Sequence, residues 1–225
     1  HAVAGIADND IEKAIEKEIK KSLSKLNKNR LDGYLLHTPE YIYHDAIASA
    51  LEECKKKNLV KNIGVSIYEE ADALYAAKSG WVDYIQIPYS VFDQRVDKTD
   101  FFKITKDNDV TVFARSAFLQ GLILMRDHEI PEHLSEAKAY LREFDDCIQK
   151  YGLTRIQAAL LFSHQNPDID YVVFGVDTIK QLEENLKIAA SAVHLDECMN
   201  ELKNHFLDIK KSIIFPSLWK NPPSR

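Results

Sequence analysis

The residues able to do chemistry in this chain are His37, Ser66, Gln86, the adjacent pair Arg115 and Ser116, and Asp177. Each falls at or near the C-terminal end of a short apolar run. A neutral imidazole can donate a hydrogen bond to an oxygen that gains negative charge during a reaction. A serine hydroxyl and a glutamine amide supply both donors and acceptors. A guanidinium is planar and can stack on a ring or pair with phosphate. The same residues also have structural uses: a core histidine satisfied by backbone, or polar groups at strand ends. Residue type alone leaves both open. Metal chemistry has little support, since His37 has no second His or carboxylate at ligand spacing. Cys54, Cys147 and Cys198 are widely separated and form no C-x-x-C pair. No metal site is therefore expected, and the thiols are expected to pack as small apolar groups.

These residues must be held by the elements around them. Apolar residues Ile11, Ala14, Ile15, Ile19 and Leu23 recur at helical spacing over 10–26. Short apolar runs predict strands at 31–37 (LDGYLLH), 63–68 (IGVSIY), 84–89 (YIQIPY), 110–118 (VTVFARSAF) and 171–176 (YVVFGV). Helical period predicts helices at 43–56, 69–77, 98–106, 135–151, 155–165, 178–190 and 195–211, and a polar tail ends the chain. A long connection at 119–133 carries Gly121 and Pro131.

Strand-helix alternation with short loops is the α/β signature. Continuously apolar strands predict a parallel sheet buried on both faces. No G-x-G-x-x-G follows any strand, which argues against a dinucleotide-binding doubly wound sheet. Polar residues gathered at strand C-termini match the catalytic mouth of a (β/α)8 barrel instead. The chain of 225 residues is expected to form a single barrel domain, with a C-terminal helix and tail over 195–225.

Composition narrows the partners. With 29 basic and 35 acidic residues and a net charge of -6, the chain has no concentrated basic stripe for nucleic acid. No apolar stretch approaches the roughly 20 residues that cross a bilayer, so neither a nucleic acid nor a membrane is expected as partner. No signal peptide is visible, and a reducing cytoplasm fits the cysteine usage. Oligomeric state is not written in the sequence.

From LDGYLLH onward the chain resembles the aldo-keto reductase family. The matching pieces, in order, are LLH at 35–37, KNIGVS at 61–66, YIQIPYS at 84–90, ARSAFLQG at 114–121 and VVFGVDTIKQLEENL at 172–186. IPYSVFDQR and SAFLQGLIL loosely suggest bacterial sugar- and polysaccharide-associated branches. The resemblance implies an oxidoreductase that reduces a small-molecule aldehyde or ketone with NADPH or NADH. It implies His37 as the active-site histidine that orients the substrate carbonyl, and Ser66 and Gln86 as the grip on the nicotinamide carboxamide. The family usually has Asn after that Ser, where this chain has Ile67. Arg115 stands where a Tyr often stacks on nicotinamide, and Ser116, Leu119, Gln120 and Gly121 align with the loop over the pyrophosphate. Gly175, Asp177 and Gln181 are implied cofactor-binding residues at the end of the last strand and in the loop that meets the ribose. Glu184 and Asn185 match the residues that hold adenine. An acidic Asp177 and a neutral Gln181 there imply weaker selection for the 2′-phosphate of NADPH.

The resemblance also implies a catalytic Tyr, Lys and Asp on strands upstream of the one ending at His37, and 1–30 hold no counterpart. Tyr41 and Tyr43 lie in the wrong loop to replace that Tyr. Only about five strands, the fourth to the eighth, are represented. The expectation is therefore divided. Either the molecule contains more than this sequence, or the chain is a catalytically incompetent relative that binds nucleotide or a protein partner. Phe118, Tyr89 and Phe92 are candidates for a substrate-pocket lining, with core packing as the alternative.

Overall fold

A computed structural model describes residues 3–219, which form two compact units. The first comprises 3–87 and 99–113, the second 88–98 and 114–219.

In the first unit, helix α1 (Asp8–Leu26) buries Ile11, Ile15, Ile19 and Leu23, a stripe at the predicted spacing. Asn27 stops the helix with φ 51°, its N–H reaching back to Leu23 and Ser24. Strand β1 (Leu31–Leu36) follows, then α2 (Asp45–Lys56), β2 (Val60–Ser66), α3 (Glu70–Lys78), β3 (Tyr84–Pro88), α4 (Phe101–Asp107) and β4 (Thr111–Arg115). The α1 stripe packs on Ile47, Ala50, Leu51 and Cys54 of α2 and on Leu31, Val60 and Ile63 of the sheet.

Strands β1 to β4 lie side by side in chain order, and β1, β2 and β3 are parallel. The register pairs Leu36 with Val65 and Ser66 with Gln86. It is pinned by Gly64, where a Cβ would come within 2.0 Å of the Tyr84 carbonyl oxygen. At the other end of the strands, Asp83 accepts from Lys55 at 2.6 and 2.8 Å and from the Ile63 N–H at 2.8 Å. That ion pair ties α2, β2 and β3 together.

Burial on both faces, expected from apolar continuity, holds only for the last residues of β2. In β3 and β4, Ile85, Ile87, Val112 and Ala114 are buried, whereas Tyr84, Gln86, Phe113 and Arg115 keep part of their surface exposed. These side chains carry a polar tip or a large ring, and the second face is only partly closed over them.

In the second unit, the strand is β5 (Tyr171–Val173). The helices are α5 (Ala137–Gln149), α6 (Arg155–His164), α7 (Ile179–Ala189), α8 (Asp196–His205) and α9 (Lys211–Ile214). Thr154 and Thr178 each start a helix with a reciprocal capping box, to Gln157 and Gln181 respectively. The helix expected over 195–211 is broken. The chain leaves helical geometry at Phe206, which is fully buried against Phe92 and Phe144 at 5.2 and 6.0 Å.

Tyr89 and Phe92 belong to this core and not to a pocket wall, being 0% and 1% exposed. The Tyr89 hydroxyl donates to Asp97 at 2.9 Å and accepts from Asn166 at 2.8 Å, and burial pushes its pKa upward. Beside them the buried Asp93 receives two hydrogen bonds from Arg95, at 2.8 and 3.0 Å. The Arg95 guanidinium lies 4.3 Å from the Phe215 ring centroid, a cation-π contact that seats the segment after α9. Phe118 is half-buried, with its ring 6.3 Å from Phe174.

Candidate functional site

The first unit places three candidate residues at the C-terminal ends of adjacent parallel strands. His37 is exposed and immediately follows β1; Pro39 then opens a short 3-10 turn through Tyr43. The β2–β3 register sets Ser66 beside Gln86, and the Ser66 hydroxyl donates to Gln86 Oε1 at 3.2 Å. Ser66 is buried and Gln86 half-buried, so the pair offers an amide donor and hydroxyl lone pairs from a semi-enclosed position. Ile67 is 1% exposed, its side chain in the core. Its main-chain N–H donates to the Gln86 carbonyl at 2.8 Å, so this position extends the sheet rather than adding a polar group.

Tyr34, Tyr43, Tyr89 and Tyr151 are each pushed toward weaker acidity. Tyr43 donates to Asp72 at 2.5 Å, and that carboxylate pushes its pKa up to about 12. Burial raises Tyr34, and burial together with Glu201 raises Tyr151. A proton donor needs a neighbouring cation, which acts in the opposite direction.

The second unit carries the remaining candidates. Arg115 ends β4, where its carbonyl accepts from the Tyr89 N–H at 3.0 Å and its Nη1 donates to Ser116 Oγ at 3.3 Å. The backbone then turns left-handed repeatedly, with φ 68° at Ser116, 46° at Leu119, 54° at Gln120 and 87° at Gly121. Such geometry costs about 1 kcal/mol or more at each non-glycine residue. The strand expected to reach residue 118 therefore ends at Arg115, because an extended chain cannot pass through these angles. Leu119 is 1% exposed, which leaves its main chain for any ligand contact, whereas Gln120 is exposed.

Around α7, Gly175, Asp177, Gln181 and Glu184 are exposed. The Gln181 Oε1 is already engaged, accepting from the N–H groups of Asp177 at 2.7 Å and Thr178 at 3.2 Å. The T-x-x-Q spacing around Thr178 is the local signal for this cap. Asn185 is 3% exposed, and its Oδ1 has no hydrogen-bond partner among the described residues. A buried unpaired acceptor is costly unless a donor reaches it. An amino-bearing ring is one chemistry that fits, and on this count the residues present are compatible with an adenine nucleotide.

Sequence reasoning missed Arg155. From the first turn of α6 it donates to both Asp145 oxygens, and to the carbonyls of Ile123 and Met125. An Arg after a capping Thr gives no hint of this, since its partners lie 10 to 32 residues earlier. Among the described residues no group of His, Cys, Asp and Glu could hold a metal ion. Cys54, Cys147 and Cys198 are free and buried, and burial pushes Cys147 and Cys198 up to about 11. No described helix is long and apolar enough to cross a membrane.

With strands and polar ends in this order, the chain can be compared with known proteins. The family model "Aldo/keto reductase family" matches residues 2–205, and the chain belongs to that family. It is 26% identical over 203 residues to the uncharacterized oxidoreductase YqkF of Bacillus subtilis (strain 168). That alignment covers 85% of this chain and 65% of YqkF, so the chain spans just under two thirds of the relative's length. Among solved structures, the apo form of aldo-keto reductase AKR11C1 from Bacillus halodurans superimposes with a TM-score of 0.70 at 21% identity, over 86% of this chain and 68% of that one. The thermostable aldo-keto reductase Tm1743 gives 0.63 at 21% identity, over 86% and 66%. At these identities the likeness establishes the α/β fold.

Proposed function

We propose that the protein is an oxidoreductase that reduces an aldehyde or ketone, with sugar-derived carbonyls among the substrates to test, using NADPH or NADH. The five parallel strands are read as the fourth to eighth of a (β/α)8 barrel. The observation that carries the proposal is the family match over 2–205, with His37, Ser66 and Gln86 at neighbouring strand ends.

The nicotinamide would supply the hydride. His37 would donate a hydrogen bond to the carbonyl oxygen as it becomes an alkoxide, and Ser66 with Gln86 would hold the carboxamide. Arg115 would stack or pair with phosphate, and the loop of Ser116, Leu119, Gln120 and Gly121 would lie over the pyrophosphate. Gly175, Glu184 and Asn185 would bound the adenosine end. Asp177 would accept from a free 2′-hydroxyl and repel a 2′-phosphate, which favours NADH. The proton donor would be a Tyr assisted by Lys and Asp on the strands that the family places before the one ending at His37.

The test is cofactor binding and carbonyl-dependent cofactor oxidation by the full-length protein. His37→Ala should lower kcat by roughly a hundredfold while leaving cofactor Kd unchanged. Asp177→Arg should tighten NADPH more than NADH. Tight dinucleotide binding without turnover on any carbonyl would sink the reductase reading and leave a nucleotide-binding relative. A wild type that already prefers NADPH strongly would remove the role given to Asp177.

A further inference from the structure

We infer that Arg155 and Asp145 form a latch that holds the loop after β4 in its binding shape. They would thereby serve as positioning residues for a pyrophosphate-bearing ligand. The inference rests on the cofactor reading above.

The loop from Ser116 to Gly121 is unfavourable by itself. Ser116, Leu119 and Gln120 all hold left-handed φ, which side chains with a Cβ rarely adopt. Such a backbone persists only where its surroundings over-determine it. On its N-terminal side, the Arg115 carbonyl is fixed by the Tyr89 N–H at 3.0 Å. Within it, Leu119 N–H donates to the Ser116 carbonyl at 2.8 Å, and Gly121 N–H to Phe118 at 2.9 Å.

The C-terminal side is held by Arg155. Its Nε and Nη2 donate to the two Asp145 oxygens at 2.6 and 2.5 Å, a fork-on-fork pair that fixes the plane of the guanidinium. The remaining Nη1 then points at main-chain oxygen, reaching Met125 at 2.6 Å and Ile123 at 3.3 Å. Arg155 belongs to α6 and Asp145 to α5, so two helices grip the end of the turn spanning Leu119–Leu124. Arg142 adds a second tie from α5, donating to Asp127 at 2.6 Å just beyond. The Arg155 side chain keeps only 19% of its surface and Arg142 keeps 68%, while Asp145 and Asp127 are 45% exposed alike. The Arg155 tie is the stronger constraint, because water competes less for its half-buried donors.

A lysine cannot replace this arrangement. It can meet Asp145 or a carbonyl, but it lacks a rigid fork that does both at once. Loss of the latch frees the loop to relax from its left-handed angles.

The test measures Kd for NADH, for ADP-ribose and for AMP in the full-length wild type, Arg155→Lys, Arg155→Gln and Asp145→Asn, with amide hydrogen exchange over 117–124. ADP-ribose carries the pyrophosphate and AMP does not. The expected result is a loss of roughly tenfold for NADH and ADP-ribose in each variant, AMP held within about twofold, and faster loop exchange. Arg155→Gln combined with Asp145→Asn should cost little more than either alone. Weakening of all three ligands in parallel, or unchanged NADH binding with unchanged exchange, overturns the latch. A wild type that binds neither NADH nor NADPH overturns the cofactor reading itself, and the positioning role falls with it.

Discussion

Helices α1 and α7 are both amphipathic, yet they use their apolar faces in opposite ways. α1 buries Ile11, Ile15, Ile19 and Leu23, none more than 7% exposed. α7 buries Asn185 and Ile188 and exposes Ile179, Leu182 and Leu186, at 78%, 39% and 56%. Tyr171 and Val173 of β5 are exposed as well. Periodicity reports which side of a helix is apolar, but not whether anything covers it. The lesson extends to polar residues. Asn185, the type most expected on a solvated face, is one of the two residues α7 hides.

The comparison can be broken by substitution, and the largest effect belongs to the closed region. Gly64→Ala should cost about 4 kcal/mol or prevent folding, because the added Cβ meets Tyr84 backbone, which cannot step aside. A urea midpoint close to wild type would mean that the β2–β3 contact is looser than its register requires. Ile19→Ala should cost about 3 kcal/mol by the same measurement, as a fully buried side chain replaced by a cavity. Leu186→Ser should stay within about 0.5 kcal/mol. A loss as large as that of Ile19→Ala would show that the α7 face is covered in solution.

The smallest expected effect is electrostatic and lies on the outer surface of α1. Glu16 receives Lys20 at 2.5 Å and Lys57 at 2.6 Å, which hold its pKa at about 2 against an ordinary 4.5. A carboxyl depressed on folding contributes stability above its ordinary pKa and loses it as pH falls towards about 2. Glu16 is half-buried but both lysines are exposed, so the contribution is small and should shrink further with salt. Lys57→Met should raise the Glu16 titration midpoint in an NMR pH series. An unchanged midpoint would leave Lys20 as the sole partner that matters.

Much of the fold was legible in the letters. The helical stripe of α1 and the alternation of strands with helices follow from spacing, because local sterics and hydrogen bonding act within a few residues. The strand ends carrying His37, Ser66 and Gln86 were legible for the same reason. Illegible were the left-handed turns after Arg115, since Ser116, Leu119 and Gln120 have no intrinsic preference for them. The fate of IPYSVFDQR was hidden too. Tyr89 and Phe92 suit a pocket wall as well as a core, and only packing against Phe162, Phe144 and Phe206 decides between them.

The sequence by itself determined a parallel α/β chain with polar residues at its strand ends, and the motifs that mark its family. Tertiary structure alone decided which polar groups are spent on the scaffold and which stay free for a ligand. The Gln181 side-chain oxygen caps a helix, Asp93 is held by Arg95, and Arg155 is committed to a loop 30 residues away. The Asn185 carbonyl oxygen is left buried and unpaired among the described residues. The physical reason is that a hydrogen bond depends on position within a few tenths of an ångström. Residue type sets what a group can donate or accept, and the packed chain sets what it reaches.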